Sequence, residues 1–88
     1  MYEVVEFTEV RALPGNPPVQ RLLGNFALAQ DALERGRQAW RATLEEGTDD
    51  YVWWVVKRQG AELAEWIADS RSAKEYAVDV RTGQLIQL

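Results

Sequence analysis

The chain of 88 residues contains no cysteine and no histidine. Without cysteine there is no disulfide to brace a small fold, no thiolate nucleophile and no soft metal ligand, although such an absence suits any redox compartment. Without histidine the usual general base near neutral pH and the commonest metal ligand are both missing, which excludes Ser-His-Asp and Cys-His catalysis and ordinary zinc sites. The expectation is a protein that is not an enzyme, with no catalytic residue, no metal and no cofactor. Long apolar runs are lacking as well. No stretch approaches the roughly 18–20 apolar residues of a membrane span, and Met1-Tyr2-Glu3-Val4-Val5-Glu6 lacks the basic and apolar regions of a signal peptide. A cytoplasmic protein with no membrane partner is expected. There is no excess of positive charge either: the formal net charge is −4, which argues against bulk attraction to nucleic acid or anionic lipid. Internal repeats, low-complexity tracts and long linkers are absent, and a second core would need roughly 50 residues of its own, so one domain is expected over 1–88.

What the chain does have is four tryptophans. A chain this short buries only about 60–65% of the surface its unfolded form exposes, so a few large side chains must supply much of the stabilisation.

Residues Met1 to Val10 alternate, with Tyr2, Val4 and Val10 on one side and Val5 and Phe7 on the other, which predicts a strand. Leu13-Pro14-Gly15-Asn16-Pro17-Pro18 concentrates turn residues and removes backbone donors, so it reads as a loop, after which Val19 to Leu23 returns as a candidate second strand. From about Ala27 to Glu46, Ala29, Ala32, Leu33, Gly36, Trp40, Thr43 and Leu44 fall in one stripe at helical spacing. Asn25 suits the N-cap and Gly47 the position after the helix. The polar face offers Asp31/Arg35 and Arg41/Glu45 as i,i+4 pairs. Gly36 lies inside the apolar stripe despite a cost of about 1 kcal/mol in helix propensity, which predicts close approach to a sheet there.

Tyr51 to Arg58 is rich in β-branched and aromatic residues and reads as a strand, with Gln59-Gly60 as a two-residue turn. Glu62 to Asp69 returns, Ser70 to Ala73 turns again, and Glu75 to Val80 forms a further strand. Arg81-Thr82-Gly83-Gln84 closes another hairpin, with Gly83 at positive φ, before a short terminal strand at Leu85 to Leu88. The predicted fold class is α+β: an antiparallel sheet with one amphipathic helix packed on one face. The order is ββαβββ, or βαβββ if Val19 to Leu23 does not pair.

Adjacent residues of a strand point to opposite sides, so Trp53 and Trp54 cannot share a face, and one helix covers only one of them. A regular two-residue turn sets Trp53 opposite Trp66, Val55 opposite Ala64, Tyr51 opposite Ala68 and Lys57 opposite Glu62. Continuing the register past Ser70 to Ala73 sets Ile67 beside Tyr76, Leu63 beside Val80, Trp66 beside Ala77 and Ala64 beside Asp79. The face carrying Val52, Trp54, Val56, Leu63 and Ile67 then lies under the helix, with Glu65 its one discord. The uncovered face carries Tyr51, Trp53, Val55, Ala64, Trp66 and Ala77, edged by Lys57, Glu62, Glu75 and Asp79. Apolar patches with charged rims mark partner surfaces, and the expected role is a non-catalytic interaction or accessory module acting through this patch, as a homodimer or with an unidentified protein partner.

The alternative is a nucleic-acid-associated regulator using Arg35, Arg37 and Arg41 of the helix with Arg11 and Arg21 of the N-terminal region. Interleaved Asp31, Glu34 and Glu45 argue against a clustered basic footprint. Asp49-Asp50 lacks the spacing of a calcium loop and reads as an acidic turn. Ser70, Ser72 and Lys74 sit in a predicted turn without a pocket, and read as solvated.

Overall fold

Alternation in the first ten residues and β-branched, aromatic composition after residue 50 both resolve into strands in the computed structural model, which describes residues 1–78, 81–82 and 85–87. The elements are β1 (Tyr2–Glu9), β2 (Val19–Phe26), α1 (Ala29–Glu46), β3 (Tyr51–Arg58), β4 (Ala61–Ile67), β5 (Ser72–Val78) and β6 (Leu85–Gln87). They form one sheet in the order β2-β1-β3-β4-β5-β6, with every neighbouring pair antiparallel. The strand at Val19 is therefore present, and the α+β class with one helix on an antiparallel sheet is the observed one. Because β2 and β3 are both antiparallel to β1, they run parallel to each other. α1 is the crossover between them and passes over β1, which is why it covers one face only.

β2 runs three residues beyond the expected Leu23, and this moves the helix start to Ala29. Asn25 is consequently not the cap: it pairs with Glu3 inside the sheet. Leu28 takes the N-cap position in an extended conformation with no side-chain hydrogen bond. Its carbonyl accepts the first helical bond from the Ala32 amide at 3.3 Å. At the other end Gly47 has φ +81°, and its amide donates to the Thr43 carbonyl at 2.8 Å, so the expected glycine stop is present.

The turn at Gln59-Gly60 forms as read, with φ +50° and +81°, the two positive values of the hairpin turn whose twist matches its strands. Lys57 faces Glu62 as expected. One residue later the register shifts between Val56 and Lys57, and Leu63 is the extra residue of a β-bulge. Leu63 and Ala64 consequently both face the core, at 7% and 1% exposure. Beyond the bulge Trp54 lies opposite Trp66 and Trp53 opposite Ile67. The expected pairing of Trp53 with Trp66 and of Val55 with Ala64 is corrected: Trp66 and Ala64 lie under the helix, whereas Ile67 and Glu65 lie on the other side. The inward Glu65 that the regular register required is thereby removed. Burying a Trp is worth several kcal/mol, more than the ladder bond a bulge disrupts.

The next turn is also displaced. It occupies Ala68 to Arg71, with Arg71 at φ +53°, and Ser72 already pairs with Ile67. Trp66 pairs with Ala73 and Ala64 with Glu75, replacing the expected Ala77 and Asp79. Asp79, Val80, Gly83, Gln84 and Leu88, which carried parts of the expected last two strands and their turn, lie outside the described residues, and so does the side chain of Ala77.

The core lies between α1 and the sheet and contains Val4, Ala32, Val52, Trp54, Val56, Leu63, Ala64, Trp66 and Ala68. Trp54 and Trp66 are both fully buried. Gly36 rests directly on the Trp66 ring, and a Cβ there would lie 2.7 Å from Trp66 Cη2. The expected close approach is thus made, by the ring of a buried tryptophan of the sheet. Two contacts fasten the outer side of α1 to β4 and β5. Trp40 Nε1 donates to the Ile67 carbonyl at 3.1 Å, and Arg37 makes paired contacts of 2.7 and 2.6 Å with Glu75 Oε1.

Candidate interaction surface

The face of the sheet opposite α1 is built by strand alternation alone. Val4, Glu6 and Thr8 of β1 pair with Val56, Trp54 and Val52 on the helix side, so Glu3, Val5, Phe7 and Glu9 point the other way, beside Lys57, Val55, Trp53 and Tyr51 of β3. Leu22 of β2 sits next to Val5, and Ile67 of β4 next to Trp53. The result is an apolar centre across four adjacent strands.

Phe7 and Trp53 dominate it. Their rings lie parallel within 5°, with centroids 5.3 Å apart, the spacing of a favourable aromatic pair. Lys57 reaches back over the Phe7 ring, its Nζ 5.4 Å from the centroid. Through such neighbours Val55 is only 2% exposed although no helix covers it. Tyr51 and Leu22 are 39% and 55% exposed.

Charged groups border this centre. Glu3 faces Lys57 across β1 and β3, and Glu65 faces Lys74 across β4 and β5. At the Tyr51 end the Arg11 guanidinium stacks 4.4 Å above the tyrosine ring, and the Arg11 amide donates to Asp50 Oδ1 at 3.2 Å. These contacts tie the exposed β1–β2 loop to the start of β3, so Asp50 serves as a loop anchor. Its own amide donates to Thr48 Oγ1 at 3.1 Å.

Of the six residues expected in the patch, Tyr51, Trp53 and Val55 are on this face, Ala64 and Trp66 are in the core, and the Ala77 side chain is not described. Phe7, Val5, Leu22 and Ile67 join the face without having been expected there. The sequence did carry a signal for two of them, since alternation puts Val5 and Phe7 together on one side of the first strand. Nothing in it says that this strand lies beside β3 rather than elsewhere.

The arginines of the alternative reading do not form one strip. Arg35 and Arg37 are two positions apart on a helix and face different ways. Arg37 is engaged by Glu75 and also lies 3.6 Å from Glu34. Arg21 pairs with Glu6 on the helix side of the sheet, and Arg11 covers Tyr51. Among the described residues the helix's ion pairs run through Arg37, not through the expected Asp31/Arg35 and Arg41/Glu45 pairs.

An open cleft of about 190 Å³ lies between the end of α1 and the β4–β5 turn, lined by Thr43, Leu44, Gly47, Thr48, Ala68, Asp69 and Arg71. It is smaller than the roughly 300–1,000 Å³ usual for small-molecule sites. Near it the Ser70 and Ser72 hydroxyls lie 3.0 Å from each other and are solvent-exposed. Among the described residues no cluster of three or more potential metal-ligating side chains occurs, and no helix is long and apolar enough to cross a membrane.

No protein-family model matches the chain, and no curated protein or solved structure matches it.

Proposed function

We propose that this protein is a non-catalytic interaction module that associates with a second copy of itself through the open face of its sheet, with Trp53 and Phe7 at the centre of the contact. The observation that carries this reading is the stacked Phe7–Trp53 pair in an apolar surface on the side that α1 leaves uncovered. Large aromatics in a patch with a charged border are the usual anchors of protein interfaces. The border carries both signs in adjacent pairs, Glu3 with Lys57 and Glu65 with Lys74. A two-fold contact sets a surface against itself, so the charges on its border can be matched only where both signs are present on one patch. The nucleic-acid alternative is weakened by the engagement of Arg37, Arg21 and Arg11 within the chain.

Solution mass measured across protein concentration tests the proposal. The wild-type chain is expected to dimerise, and Trp53→Ala to weaken the dimer by about 2 kcal/mol, roughly thirtyfold in Kd. A wild-type chain that stays monomeric up to millimolar concentration overturns it.

A further inference from the structure

We draw no further inference here: the strongest candidate, the outer edge of β2 with its exposed Val19 and Leu22, carries nothing because nothing in the structure shows what covers it.

Discussion

Gly36 is the residue at which helix propensity and packing oppose each other most directly. Alanine would improve the helix by about 1 kcal/mol in isolation, but its Cβ would lie 2.7 and 2.8 Å from two atoms of the fully buried Trp66 ring. That ring sits under the helix and has no free end to swing away. Gly36→Ala is therefore expected to destabilise by about 1–3 kcal/mol, the usual cost of overpacking, and Gly36→Leu by at least as much. Denaturant unfolding with an unchanged m-value would register this as a lower midpoint, and a rise would mean that the helix does not rest on Trp66. Glu6 offers a second case. Its Oε2 accepts the indole N–H of the fully buried Trp54 at 3.0 Å, and its carboxylate also meets the largely exposed Arg21. Glu6→Ala leaves the indole donor without its partner and should cost about 1–3 kcal/mol. Glu6→Gln keeps an acceptor and loses only an ion pair of the solvent-exposed kind, worth about 0–1 kcal/mol. Equal losses in the two variants would show that the ion pair, not the indole bond, is the important contact.

Among the elements, the helix start is the least well made. Leu28 holds the N-cap without a side-chain acceptor, and Asp31 stands three residues on. Leu28→Ser would give an acceptor for the first-turn amides and complete a capping box with Asp31. Because Leu28 is 55% exposed, little packing is lost, and a gain of about 1 kcal/mol is expected. For a domain of this size that is roughly 4–8 °C in Tm; thermal unfolding would show it, and an unchanged or lower Tm would argue against the cap geometry. The β3–β4 turn has a comparable reserve. Gln59 adopts φ +50°, which asparagine tolerates better. Gln59→Asn creates the preferred Asn-Gly pair and should stabilise by a few tenths to about 1 kcal/mol, again read from Tm.

Elements were legible in the sequence wherever local chemistry specifies them. Gln59-Gly60 and Gly47 lie where positive φ is needed, and the apolar stripe of α1 and the composition of β3 have no other reading. Errors arose where one local signal competed with another. Asn25 looks like a cap, but it is taken by pairing with Glu3. Ser70 to Ala73 looks like the turn, but the chain turns at Ala68 to Arg71. In each case strand pairing outweighed the preference of the individual residue.

At the scale of the whole molecule the tryptophans divide into two groups, and their substitution separates fold from association. Trp54→Ala and Trp66→Ala remove fully buried rings from the core and should each cost about 3–5 kcal/mol of monomer stability. Trp53→Ala should have the smaller effect on unfolding at low protein concentration and the larger effect on assembly. Both measurements are needed because dimerisation itself raises apparent stability. If Trp66→Ala folds normally and loses assembly, the faces are the reverse of those described. If Trp53→Ala changes neither property, the open face is not an interface.

The sequence by itself determined the class of the protein, its helix and the strands other than β2, whose pairing it left open, because periodicity, glycine positions and β-branched composition act within a few residues of one another. It also placed Tyr51, Trp53 and Val55 together, since alternation along one strand needs no knowledge of the rest of the chain. Only the tertiary structure decided which side of β4 faces the helix. That choice turns on one bulged residue, Leu63, and side-chain direction in a strand has a period of two, so a single extra residue moves Ala64 and Trp66 from one face to the other. The bulge is favoured by burial of Trp66 against Gly36 of a helix about thirty residues earlier in the chain. The neighbourhood of Phe7 and Trp53 is equally non-local, because β1 lies next to β3 only once α1 has crossed over it.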